Sequence, residues 1–193
     1  MRHPLTCGIL AGGASSRMGA AKALLPFRGK PMLSRQIDVL SPLFERIVVS
    51  AIDPEPYRPF GLEIIPDLFP ERCPLAGLHA VLSSCRTGHA FIVACDLPFL
   101  NPDAVEFLLG LRDRADVVIP ETARGLEPLH AVYARRCLPA IEEAARDGRW
   151  KMTGYHSKVS VHRVRMDRPE WEVEGRSPFE NVNTPEEFRA AGP

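Results

Sequence analysis

The chain has 193 residues, of which 45% are hydrophobic and 25% charged, with 24 Lys and Arg set against 24 Asp and Glu. That length can bury a proper core, and the composition is that of one ordinary globular domain over residues 1–193, which excludes a disordered or fibrous chain. A net charge of zero argues against a general binder of nucleic acid or of an anionic membrane surface, both of which call for a basic excess. The five cysteines, Cys7, Cys73, Cys85, Cys95 and Cys137, are odd in number and form no C-x-x-C pair. Neither a disulfide framework nor a zinc site is indicated. The first apolar run is too short for a signal-peptide core and no stretch approaches a membrane span, so a cytoplasmic protein is expected.

In chain order, the first strand is expected at "CGILA", followed by a loop of small residues. A helix should come next, with Leu33, Ile37, Leu40 and Phe44 on one stripe. Strands are expected at "RIVVSA" and "LEII", then a helix carrying Leu75, Leu78 and Leu82, then a strand at "AFIVAC". The third helix opens at "NPDAVEFLL", where Asn101 caps, Pro102 suits the first helical position and Asp103 complements the positive helix end. "DVVIP" is a further strand. Continuous apolar strands alternating with helices predict a Rossmann-like α/β fold, a mostly parallel sheet with helices on both faces. From Leu126 the alternation loosens, with a strand at "LHAVYA", a helix over "CLPAIEEAA", a strand near "KVSVHRV" and a closing helix after Thr184. An antiparallel edge or flap is expected in this C-terminal part. His130 and Tyr133 read as residues of an ordinary half-buried strand, with a lining role at a ligand site as the alternative.

Open parallel sheets bind ligands beyond the carboxyl ends of their strands, so the loops there should carry the chemistry. After the first strand come Gly12, Gly13, Ala14, Ser15 and Ser16, small enough for backbone N–H groups to approach an oxyanion, with Arg17 and Lys22 following. No Asp or Glu precedes Asp38, whereas Arg2, Arg17, Lys22, Arg28, Lys30 and Arg35 do. An anionic ligand is expected, against the plain alternative of a Gly-rich turn with solvated cations. The loop has neither the G-K-[ST] ending of a P-loop nor the G-x-G-x-x-G spacing of a dinucleotide fold.

"LAGGASSRMGAAKALLPFRGKPML" resembles the opening motif of nucleotidyltransferases of the molybdenum cofactor and nucleotide-sugar kind. "PDLFPERCPLAGLHAVL" and "VACDLPFL" resemble their second and third motifs. "EPLHAVYARRCLPAIEEAARDGRWK" with "FENVNTPEEF" is similar to the C-terminal half of the molybdenum cofactor guanylyltransferases. The resemblance runs from about Ile9 to the end of the chain. It implies transfer of GMP from GTP to the terminal phosphate of molybdopterin, with Mg²⁺ as cofactor, pyrophosphate as second product and molybdoenzymes as possible clients. The Arg17–Lys22 spacing is similar to that of the cytidylyl relatives, which keeps CTP as the alternative donor. A non-catalytic carrier of molybdopterin or nucleotide is the alternative of another class.

The same resemblance implies roles residue by residue. The backbone of Leu10, Ala11, Gly12 and Gly13 lies against the nucleotide, and Lys22 meets its phosphates. Arg17 suits the leaving phosphates because a guanidinium offers a planar donor fork to paired oxygens. Asp67 matches the acid near guanine or ribose, where the alternative is a turn former after Pro66. Asp96 matches the Mg²⁺ carboxylate at a strand end, where the alternative is a turn former before Pro98. Asn181 and Asn183 are implied at the acceptor site, while Thr184, Pro185 and Glu187 need no role beyond capping a helix.

Overall fold

The computed structural model describes residues 2–11 and 22–182 and residue 187. The first strand, β1 (His3–Leu10), is buried from Leu5 to Leu10 and lies inside the main sheet. Two short strands, β2 (Pro26–Phe27) and β3 (Lys30–Pro31), pair antiparallel just ahead of α1 (Met32–Leu40). Leu33 and Leu40 on the helical stripe are buried as expected, but Phe44 is not part of that helix. The backbone N–H of Ser41 closes α1 onto the carbonyl of Ile37, and Phe44 opens β4 (Phe44–Ser50). The exposed Glu45 near the start of β4 breaks the continuous apolar signal, which is why the sequence marks only the later part of this strand.

After β5 (Glu63–Ile65) comes α2 (Pro74–Ser84), in which every residue from Leu75 to Leu82 is buried. A helix covered on all sides is a core helix rather than an amphipathic surface one. Its close seat is made by two glycines. A Cβ on Gly8 of β1 would fall 2.7 Å from both methyls of Val81, and one on Gly77 would fall 3.1 Å from a Leu10 methyl and from Ser50 Oγ. The next elements are β6 (His89–Ala94) and α3 (Pro102–Gly110). The α3 N-terminus is capped as its sequence predicts: Asn101 Oδ1 accepts from the N–H groups of Asp103 at 2.8 Å and Ala104 at 3.2 Å. The chain then forms β7 (Val117–Thr122), β8 (Gly125–Leu126), β9 (His130–Ala134), α4 (Leu138–Arg146) and β10 (Val161–Arg165). Of the closing helix expected after Thr184, only Glu187 falls among the described residues, and it is helical.

The strand order is β10-β7-β9-β6-β1-β4-β5, with β8 paired to β7. β1 runs parallel to β4 and β6, β4 parallel to β5, and β7 parallel to β10. The antiparallel component of the C-terminal part takes two forms. β7 and β8 make a short hairpin flap, and β9 inserts antiparallel between β6 and β7. Leu33, Leu40, Val105 and Leu108 from α1 and α3 pack on one face of the sheet, while Leu75, Leu78, Ile141 and Ala144 from α2 and α4 pack on the other. Each fully buried Leu, Ile or Val side chain among these contributes about 1.5–3 kcal/mol, so the two helix layers fix where the strand ends stand.

Candidate active site at the carboxyl end of the sheet

Leu10, the last residue of β1, is buried between two neighbouring strands, and its carbonyl accepts from Cys95 N–H at 3.1 Å. Ala11 donates its N–H to the Ser50 carbonyl at 2.9 Å, and its own carbonyl accepts from Tyr57 Oη at 3.1 Å. Burial pushes the Tyr57 phenol up to about 12, so it stays a donor across the neutral range. The chain therefore enters the small-residue loop from a fixed point. Gly12, Gly13 and Arg17 lie outside the described residues. Lys22 opens a short 3₁₀ turn, Lys22–Leu24, and its side chain lies outside the described set as well.

Part of the N-terminal cation excess has a structural use. Arg28 pairs with Glu174, Lys30 Nζ lies 3.0 Å from Asp38, and the Arg35 guanidinium stands over the Phe27 ring at 5.4 Å. The expectation of an anionic ligand thus rests on Arg17 and Lys22 rather than on all the cations of this stretch.

Asp67 lies two residues past the end of β5 and is half-buried. Its Oδ1 accepts from Ser50 Oγ at 2.6 Å. Burial raises its pKa, and the Ser50 hydrogen bond opposes that rise by favouring the carboxylate. Asp67 is therefore oriented by the last residue of β4. Ser50, only 1% exposed, was not singled out from the sequence; the signal available was a lone hydroxyl closing an otherwise apolar strand.

Asp96 lies two residues past β6, and its backbone carbonyl accepts from Val182 N–H at 3.0 Å. Buried Gln36 of α1 brackets this turn, donating from Nε2 to the carbonyls of Ala94 at 2.7 Å and Leu97 at 3.0 Å. Gln36 too was missed from the sequence, where it reads only as a polar neighbour of the Leu33–Ile37 stripe. Asp96 and Asn181 line one cavity of about 250 Å³, together with Arg124, Glu127, His130 and Phe179. Asn183 lies outside the described residues.

His130 and Tyr133 are fully buried, where a half-buried strand was expected. They are three residues apart on a strand and so face opposite sides of the sheet. Tyr133 packs with the α2 and α4 layer and donates its hydroxyl to the Pro128 carbonyl at 2.7 Å. His130 faces the other layer, edge-on to Phe91 and Phe179.

Among the described residues no group of three or more His, Cys, Asp or Glu side chains is placed to hold a metal ion. Asp96 offers one hard carboxylate oxygen, a donor type that divalent cations such as Mg²⁺ take beside phosphate oxygens. Among the described residues no helix is long and apolar enough to cross a membrane.

Residues 7–159 match the MobA-like NTP transferase domain. A probable molybdenum cofactor guanylyltransferase of Pelotomaculum thermopropionicum is 35% identical over 180 residues, covering 93% of this chain and 88% of that one. A molybdenum cofactor guanylyltransferase of Desulfosudis oleivorans is 37% identical over 185 residues, covering 95% and 92%. The crystal structure of molybdopterin-guanine dinucleotide biosynthesis protein A from Archaeoglobus fulgidus superposes with a TM-score of 0.79 at 26% identity, covering 97% of this chain and 96% of that one.

Proposed function

From the premise that the chain belongs to the MobA-like NTP transferase family, we propose that it is a molybdenum cofactor guanylyltransferase, moving GMP from GTP to molybdopterin. The observation that carries this reading is the placement of Leu10, Asp67, Asp96 and Asn181 at one end of the sheet, with Val182 N–H tied to the Asp96 carbonyl. A donor and an acceptor bound at that end would meet beside Asp96.

The terminal phosphate oxygen of molybdopterin attacks the α-phosphorus of GTP in line. The bond from that phosphorus to the bridging oxygen of the β-phosphate breaks, and pyrophosphate leaves with the electron pair. The acceptor is already an anion, so no general base is needed. What the protein must supply is alignment of two polyanions and relief of their repulsion. In this reading the backbone from Leu10 to Gly13 lies against the nucleotide, and Arg17 and Lys22 neutralise its phosphates. Asp67 accepts from the N–H groups of guanine, held in place by Ser50. Asn181 and Asn183 position the acceptor.

The family depends on a divalent metal. Mg²⁺ held through Asp96 would supply charge neutralisation at the reacting phosphates. A cytoplasmic site of action accords with GTP as donor and with five free thiols. The test is release of pyrophosphate from GTP with and without molybdopterin. Acceptor-dependent release is expected; binding of both substrates without release would make the protein a carrier instead.

A further inference from the structure

The carboxyl end of the sheet has two halves. β1, β4 and β5 end at Leu10, Ser50 and Ile65, the last leading to Asp67, while β6, β9 and β7 carry the cavity that Asp96 and Asn181 line. Because β9 is antiparallel, its first residue stands at this end, and His130 pairs in register with Val93, three residues before Asp96.

His130 is 1% exposed, and neither of its ring nitrogens has a hydrogen-bond partner among the described residues. Other histidines leave one buried nitrogen in that condition, but among the described residues His130 alone leaves both. Its ring stands edge-on to Phe91 and Phe179, with centroids 5.2 Å and 4.9 Å away. A third phenyl ring would fill that slot without burying two polar atoms, so packing does not account for an imidazole here. Two other polar groups at the cavity are engaged with protein: Arg124 donates to the Phe179 carbonyl at 2.6 Å, and Glu127 Oε1 accepts from Thr122 Oγ1 at 3.0 Å. Burial lowers the His130 pKa to about 3, so the ring is neutral and presents one donor and one acceptor.

We propose that His130 is a specificity residue of the acceptor half, hydrogen-bonding through one ring nitrogen the polar edge of the acceptor's planar nitrogen heterocycle. This rests on the transfer reading above. The two nitrogens of a neutral imidazole point apart, so one of them meets the heterocycle, accepting from a ring N–H or donating to a ring nitrogen or carbonyl, and a ligand that does so supplies a hydrogen bond the protein leaves unmade. Acceptors without such an edge leave His130 unsatisfied and are discriminated against.

Two measurements test this. In steady-state transfer, His130→Phe should raise the KM for molybdopterin at least tenfold, with KM for GTP unchanged and kcat within threefold, and His130→Gln should recover part of the loss. In wild-type protein labelled with ¹⁵N-histidine, free pterin should shift the ring-nitrogen resonances of His130, identified by their loss in His130→Gln. A folded His130→Phe protein with acceptor KM within twofold of wild type overturns the assignment. So do ring resonances, assigned with the folded His130→Gln protein, that pterin leaves unmoved. Absence of GMP transfer by the wild type would instead remove the transfer reading, and the pterin titration would still report on His130.

Discussion

The two halves of the sheet's carboxyl end, proposed above as donor half and acceptor half, are finished differently. Over β1, β4 and β5 the protein satisfies itself: Ser50 holds Asp67 at 2.6 Å, and Tyr57 and the Ser50 carbonyl hold Ala11. Over β6 and β9 the backbone is tied by Gln36 and Val182, yet the cavity keeps an imidazole with no partner among the described residues. Burying a polar group without a partner costs about 1–3 kcal/mol, and such a cost is tolerable where a ligand removes it. On the proposed roles, the first half holds its carboxylate in place before substrate arrives, whereas the second half would be completed by its substrate.

Asp96 stands where the halves meet, so its replacement should break both. Asp96→Asn keeps the side chain's shape and removes its charge. Mg²⁺-dependent transfer should fall on the order of a thousandfold, several kcal/mol of transition-state stabilisation, while thermal unfolding stays near wild type. Nucleotide binding without metal should change little or improve, because repulsion of the triphosphate falls. Near-normal turnover and Mg²⁺ dependence across a titration would leave Asp96 a turn former.

Lys22→Ala should damage the donor half alone. A loss of about a hundredfold in kcat/KM for GTP is expected from removing one phosphate cation, with acceptor KM and stability unchanged. A parallel rise in acceptor KM would show that the halves are not separable as described.

The smallest effect is expected from Ser50→Ala. Ser50 donates to the Asp67 carboxylate and so lowers its pKa against the rise caused by burial. Removing the hydroxyl raises that pKa further, so the acidic limb of the pH profile of kcat/KM for GTP should move to higher pH. At pH well above the limb the loss should be only a few-fold. An acidic limb that stays in place would separate Asp67 from donor binding.

Much of the framework was readable because buried parallel strands leave continuous apolar runs: "AFIVAC" overlaps His89–Ala94 from Ala90 to its end, and "DVVIP" overlaps Val117–Thr122 from Val117 to Pro120. Asn101-Pro102-Asp103 was readable because capping is local chemistry. The insertion of β9 between β6 and β7 was not, since strand pairing across the chain leaves no local mark. The same holds within the site. The strand-end positions of Asp67 and Asp96 follow from short-range pattern, whereas the Ser50–Asp67 and Gln36–Ala94 bonds and the meeting of His130 with Asn181 depend on how distant elements pack.

Joining of a guanylyl group to molybdopterin is the reaction proposed for this chain. The most direct measurement gives purified protein equal GTP and CTP together with molybdopterin and Mg²⁺, and weighs the dinucleotide product by mass spectrometry. The guanine dinucleotide is expected in clear excess, with one pyrophosphate released per product. Equal amounts of the two dinucleotides, or an excess of the cytosine form, would contradict it.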